Sequence, residues 1–267
     1  MQFFDPVKGE VIQEARIASV GQTIERDGVT MVKLTFDQPI DSAARAYIES
    51  DVERFGNDTQ IFNRDLSKNY LVQGSQFRNS RRYGTFLMSE NVQIVDSLYS
   101  GLSDAAIAGH NEASWPLGNL PSDVLIQNNR FNSIGFSREY LSQDYARGVV
   151  SFQIDSAQLD REFGRQVVDR LGAGVTNLTI RDNTFRLWGK AAISVRNAQN
   201  VTVQGNQIYW YGADGENTPL SPIEVSYSSD VHVSGTSFLN SNRTDIDNFF
   251  ATEGNGDGIA LETPGLI

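Results

Sequence analysis

Val124-Leu125-Ile126-Gln127-Asn128-Asn129-Arg130-Phe131 alternates apolar and polar residues, turns on a pair of asparagines and closes on an aromatic ring. The same shape returns as Leu-Val-Gln-Gly-Ser-Gln-Phe at 71–77 and Val-Gln-Ile-Val-Asp-Ser-Leu-Tyr at 92–99. It recurs again as Leu-Thr-Ile-Arg-Asp-Asn-Thr-Phe at 178–185, Val-Thr-Val-Gln-Gly-Asn-Gln-Ile at 201–208 and Val-His-Val-Ser-Gly-Thr-Ser-Phe at 231–238. Measured from one closing residue to the next, the copies are 22, 32, 54, 23 and 30 residues apart. A basic period near 22 with variable excess, and one gap read as double length, is the pattern of a solenoid that accepts loops at its corners.

Alternation puts every second side chain on one face, so Val124, Ile126 and Phe131 point inward and their neighbours outward. Asn and Gly tolerate the left-handed backbone of a tight bend, and stacked asparagines can hydrogen-bond from coil to coil. Further short strands follow: Gly84–Met88, Ala105–Ala108, Gly148–Phe152, Ala191–Val195 and Pro222–Val225, with Gly258–Leu261 as the last candidate. One rung therefore reads strand, bend, strand, variable loop, strand. The predicted fold is all-β, a parallel β-helix whose coils bury their inner faces only against each other. An antiparallel sandwich explains the turns but not the return of one motif in one order.

Residues 1–50 differ. Val11–Val20 and Val29–Phe36 read as strands joined by Arg26-Asp27-Gly28, a hairpin signal. They predict a small antiparallel β unit at the N-terminus, with the β-helix over 51–267. The stretch 153–172 breaks the repeat, and Leu159–Val168 within it reads as a short helix or an extended lid. The loop 109–122 is the other long interruption, and long loops on a rigid scaffold are where function concentrates.

The net charge of −11, from 33 acidic and 22 basic residues, argues against a general nucleic-acid binder but leaves a neutral sugar open. The chain has no cysteine, hence neither a disulfide framework nor a thiolate metal site. No run approaches the roughly 20 apolar residues of a membrane span. The opening Met-Gln-Phe-Phe-Asp-Pro lacks the regions of a signal peptide. Both ends read as cut from something longer, so further coils or a partner chain are expected to cover the open solenoid.

Polar and aromatic residues are densest between Arg81 and Trp115. Arg82 and Asp104 are 22 residues apart and are expected at equivalent places on adjacent coils, as a site or as a structural ion pair. His110 is suited to polarise a sugar hydroxyl or move a proton; it is equally suited to brace its loop. Hydrolysis of a glycosidic bond needs two carboxyl groups, and Asp104 with Glu112 is the expected catalytic pair, Asp51 the substitute. Arg81, Arg82, His110, Trp115, Trp188 and Lys190 are the expected substrate-binding side chains, Trp115 as an apolar platform or as a loop anchor. Tyr209-Trp210-Tyr211 is a second aromatic strip. No cofactor is expected. Asp155, Asp160, Asp214, Glu216, Asp245, Asp247 and Asp257 offer oxygen ligands for calcium without the spacing of a dedicated loop, and read as a solvated acidic face.

With Arg81-Arg82-Tyr83-Gly84, Asp104-Ala105-Ala106-Ile107, the Trp115 loop and Asp123–Phe131 in view, the stretch 61–131 resembles the right-handed parallel β-helix glycosidases that cleave terminal α-1,3-galactose. The unit at 1–50 is similar to their barrel-like insertion, and residues 1–210 can be laid against them. This chain has Pro116-Leu117-Gly118 where that family carries acidic residues after the tryptophan. The resemblance implies a right-handed coil, an oligosaccharide or polysaccharide substrate, inverting hydrolysis and an extracytoplasmic location. A uronate lyase or epimerase drawing on Arg81, Arg82, Arg147 and Lys190 is the enzymatic alternative. A non-catalytic adhesion solenoid is the structural one.

Overall fold

The computed structural model describes residues 1–5, 9–45, 59–111, 118–136, 148–156, 166–167, 171–209, 221–239, 249–262 and 265–266. Three parallel sheets run the length of a right-handed β-helix. Sheet I contains Lys68–Gln73, Glu90–Val95, Ser122–Gln127, Val175–Arg181, Ala198–Gln204, Ser229–Ser234 and Ile259–Leu261. Sheet II contains Gln76–Arg78, Leu98–Leu102, Arg130–Ile134, Thr184–Trp188, Gln207–Tyr209, Ser237–Leu239 and Gly265–Leu266. Sheet III contains Thr85–Leu87, Ile107–Gly109, Gly148–Phe152, Ala191–Arg196, Ile223–Ser226 and Phe250–Glu253. Each of the first six coils passes through sheets I, II and III in that order, and coils are numbered from Lys68.

The repeat places the core. Val92, Val124, Leu178, Val201 and Val231 align across sheet I, as do Ile94, Ile126, Ile180, Val203 and Val233, and all are buried. In sheet II the closing aromatics form a column, with ring centroids 4.7 Å apart for Phe77–Tyr99, 5.3 Å for Tyr99–Phe131 and 4.8 Å for Phe131–Phe185. These spacings follow the strand spacing, so identical inward positions stack without special adjustment. Phe131 pairs directly with Phe185, so the 54-residue gap is one coil carrying two insertions, not the two coils expected from its length. Ile259–Leu261 likewise belongs to sheet I; the sheet III strand before it is Phe250–Glu253.

The corner from sheet I to sheet II is two residues long in each of the first six coils: 74–75, 96–97, 128–129, 182–183, 205–206 and 235–236. The first residue of each pair has positive φ, between 54° and 64°, and is Gly, Asp or Asn. In coils 2 to 5 the second residue, Ser97, Asn129, Asn183 or Asn206, bonds through its side chain to the preceding coil. Asn183 illustrates the arrangement: its Oδ1 accepts from the Asn129 amide N–H at 2.8 Å, and its Nδ2 donates to the Ile126 carbonyl at 3.0 Å. Asn129 and Asn206 repeat these bonds, so backbone groups freed by the turn are satisfied inside the wall.

The long connections all flank sheet III: 135–147, 210–222 and 240–249 lead into its strands, and 110–121 and 153–174 lead out. The expected element at 159–168 lies outside the described residues except for Gln166–Val167, which pairs antiparallel with Asp155–Ser156.

The N-terminal unit is antiparallel, as read from the sequence, and takes in a strand beyond residue 50. Gln2–Asp5 lies between Glu10–Glu14 and Gln60–Phe62. Ile17–Arg26 and Val29–Phe36 form a two-stranded ribbon turned at Asp27 and Gly28, with φ of 52° and 77°. Val20 and Val29 on this ribbon are 65% and 58% exposed. Arg64 joins the unit to the helix, bonding Glu90 through Nε at 2.5 Å and Nη2 at 3.0 Å and contacting Glu14 through Nη1.

Candidate active site

The long connections precede or follow strands of sheet III in the chain, and several outward residues of that sheet are polar and buried. With Ile107, Val150, Ile193 and Ile223 packed inward, the alternate register positions Ala108, Ser151, Ser194, Glu224 and Ala251 form one outward row. Arg196, Ser226 and Glu253 align in a second outward row. Gln153 donates its amide N–H to Gly109 O at 3.1 Å, which extends that row toward His110. Ser151, Gln153, Ser194, Arg196, Glu224 and His110 are all buried. A polar strip thus crosses a wall whose inner face is apolar.

At the early end of the strip stand the residues singled out from the sequence. Ser103 donates its N–H to Ser80 O at 3.1 Å, and Gly84 donates to Ala105 O at 3.3 Å, so the Arg82 and Asp104 corners stack. Arg82 and Asp104 form no ion pair within 4 Å among the described residues; Arg82 is exposed and lies over the Tyr83 ring at 5.7 Å. Tyr83 stacks on Phe86 at 5.5 Å, and Phe86 packs on the His110 ring at 4.5 Å. His110 Nδ1 lies 3.0 Å from Asn111 O, the contact expected of a loop-bracing histidine, and the residue is buried. Arg81 is exposed, and its carbonyl accepts from Ser103 Oγ.

Asp104 is half-buried. Burial holds its carboxyl above the ordinary aspartate value, while the Ala105 N–H at 2.8 Å and the charges of Arg82, Lys190 and His110 pull the other way. Three residues named from the sequence therefore reach this carboxyl electrostatically. Lys190 comes from coil 4: Leu102, Ile134 and Trp188 are register partners, so the corners carrying Asp104, Phe136 and Lys190 are stacked in succession. Gly135 and Gly189 make that stacking possible, because a Cβ on Gly189 would lie 1.9 Å from Gly135 O.

Trp188 is a correction. The same register points its indole inward, where it joins the core and donates Nε1–H to Tyr209 O at 3.0 Å. It is a core residue, not part of the outer wall. Glu112, Trp115, Asp51 and Arg147 lie outside the described residues, as do Trp210 and Tyr211. His232 is exposed, as alternation in its strand predicts. No three His, Asp or Glu side chains gather as a metal site among the described residues, and none of the described helices is long and apolar enough to cross a membrane.

The sequence reading missed Ser151, Ser194, Arg196 and Glu224. Their signal was present: a Ser, Arg or Glu at alternate positions inside strands as apolar as Ala-Ala-Ile-Ser-Val-Arg at 191–196 and Ile-Glu-Val-Ser at 223–226.

Fold and face together define a right-handed parallel β-helix with its long connections next to sheet III in the chain and a polar strip on that sheet's outward rows. The chain is 22% identical over 247 residues to alpha-1,3-galactosidase B of Akkermansia muciniphila, an alignment covering 81% of this chain and 29% of that protein. It spans less than a third of that relative's length. No protein-family profile matches it.

Proposed function

We propose that this chain carries the catalytic face of a glycoside hydrolase acting on α-linked galactosides outside the cytoplasm. The observation that carries the reading is Asp104: a half-buried carboxyl held toward its protonated form within electrostatic reach of Arg82, Lys190 and His110, in the corner that leads into sheet III. The similarity to a galactosidase supplies the sugar.

In this reading Asp104 is the general acid. It gives its proton to the glycosidic oxygen as the bond to the anomeric carbon breaks, and the leaving sugar departs as an alcohol. A second carboxylate accepts a proton from the water that attacks the opposite face. Glu112 is our choice, two residues after His110. Glu224 does not suit the role: its strand lies three strand spacings from the strand of Ile107, roughly 14 Å, beyond the roughly 6.5–9.5 Å of an inverting pair.

The test compares the full-length protein with Asp104→Asn and Glu112→Gln on α-galactosides and uronate polysaccharides. New reducing ends from the parent, lost in both variants with folding intact, support the hydrolase. Products absorbing as unsaturated uronates make it a lyase instead. Silence of the parent on every sugar leaves the adhesion solenoid.

A further inference from the structure

The column of corners that carries Asp104 also holds an aromatic ring open to solvent. Two residues on from the paired positions Leu102, Ile134 and Trp188 stand Asp104, Phe136 and Lys190, in coils 2, 3 and 4. The Gly135 N–H donates to Leu102 O at 2.9 Å and the Gly189 N–H to Ile134 O at 3.0 Å, so the backbone stays stacked past the last paired residue. Phe136 therefore follows Asp104 at about one strand spacing, roughly 4.8 Å. Ile134 is fully buried, yet Phe136 is 52% exposed. In an unbroken strand the two would share a face. Gly135, at φ 79°, breaks the alternation and brings Phe136 out to the surface.

The placement is not that of a stray surface residue. From Val72 onward, Phe136, Leu171 and Leu187 are the exposed large apolar residues among the described ones. Two of these three border the corner between sheets II and III, in adjacent coils. Leu187 falls opposite Ser133, between the Asn132–Arg186 and Ile134–Trp188 pairs, and its φ of 51° is a backbone that leucine seldom adopts. Single exposed apolar residues are ordinary; two at one corner, next to a carboxyl partly withdrawn from water, call for a ligand. A protein partner needs roughly 800 Å² on each side. Half of the roughly 150–250 Å² of a phenylalanine, with one leucine, falls far short. A ligand of ring size fits: one six-membered ring lying flat on another.

We infer that Phe136 is the platform on which the sugar ring beside Asp104 lies, and that it selects sugars of galactose configuration. The inference rests on the hydrolase reading for its substrate. Galactose has an axial 4-hydroxyl, so its C–H groups at C3, C4 and C5 share one face. That face is a continuous apolar patch of the kind an aromatic ring covers. Glucose, whose 4-hydroxyl is equatorial, turns the C4 hydrogen to the opposite side and breaks the patch. A ring held on Phe136 keeps its glycosidic oxygen within one coil of the Asp104 carboxyl.

The experiment measures kcat and KM of the full-length protein on an aryl α-galactoside, together with inhibition by free galactose and free glucose. Phe136→Ala should raise KM about tenfold and leave kcat within about twofold, the loss expected when half a phenylalanine no longer covers the sugar. Galactose should inhibit the wild type about tenfold better than glucose, and that preference should shrink toward one in Phe136→Ala. Phe136→Trp should restore both quantities, because the ring and not the residue is what the sugar meets. A thermal melt checks folding, which an exposed side chain affects little. Unchanged KM and galactose preference in folded Phe136→Ala overturn the platform and leave hydrolysis intact. So does a lower kcat at unchanged KM, which would make Phe136 a support for Asp104. If the wild type cuts no galactoside, the hydrolase reading fails by itself. Saturation-transfer NMR with free galactose then decides the platform. Transfer to the C3, C4 and C5 hydrogens that disappears in Phe136→Ala sustains it; no transfer, or equal transfer in both proteins, removes it too.

Discussion

Asp104 owes its chemistry to position. A carboxyl in the stacked corner between sheets II and III is partly withdrawn from water, and burial outweighs the Ala105 N–H and the neighbouring Arg82, Lys190 and His110 that favour its ionised form. Asp104→Asn should lower turnover by roughly 10²–10⁴ fold while far-UV circular dichroism stays native. Arg82→Gln should act on pH rather than on rate alone. Arg82 favours the ionised carboxylate, so its removal raises the pKa and moves the alkaline limb of kcat/KM to higher pH. A limb that stays put or moves down would contradict the acid role. Stability carries the matching sign. Because the folded state holds the Asp104 proton more tightly than the unfolded chain, folding loses stability as pH rises through the carboxylate range. Asp104→Asn should therefore melt higher than wild type at pH 7, with the gain disappearing at acid pH. His110 sits in the same neighbourhood by a different route, through the packed sequence Arg82, Tyr83, Phe86, His110.

Among the elements, the corner from sheet I to sheet II does most to hold the coils in phase. Asn183→Ala removes the acceptor of the Asn129 N–H and the donor to the Ile126 carbonyl, both buried, and should cost about 2–4 kcal/mol in denaturant unfolding. Asn128→Gly at the exposed half of the neighbouring corner keeps its left-handed backbone and should cost about 0.5 kcal/mol or less. The two asparagine roles were legible in the sequence because every copy of the motif offers the same two choices, a Gly/Asn/Asp and then an inward polar residue. Coil count was not legible across 131–185, since insertion length and coil length add without a marker between them. Of the candidate site, the stacking of the Arg82 and Asp104 corners was legible in their spacing of 22. Trp188 misled because one residue decides the face of a strand, and only its pairing with Ile134 settles it. Arg196 and Glu224 were hidden for a related reason: a polar residue at an alternate strand position reads as solvent-facing until the wall it belongs to is known to be covered.

Seen whole, the molecule joins a cooperative stack of coils to a lighter appendage. The ribbon at Ile17–Phe36 has only one partner strand on either side of its turn and exposes Val20, Ile24 and Val29, so its amides should exchange fastest among the described strands. Arg64 is partly exposed, and Arg64→Ala should speed exchange in Gln2–Asp5 by about fivefold while leaving Glu90–Val95 protected. Equal loss in both places would show that the appendage and the coils unfold together. The constant two-residue corner has an evolutionary side as well. A duplicated coil enters such a stack without rotating any residue downstream of it, so the outer face can grow only in steps of one strand spacing, close to the span of a single sugar ring. Gene duplication would then lengthen that face in whole coils, and relatives of this chain could be ordered by the reach of their outer wall simply by counting turns.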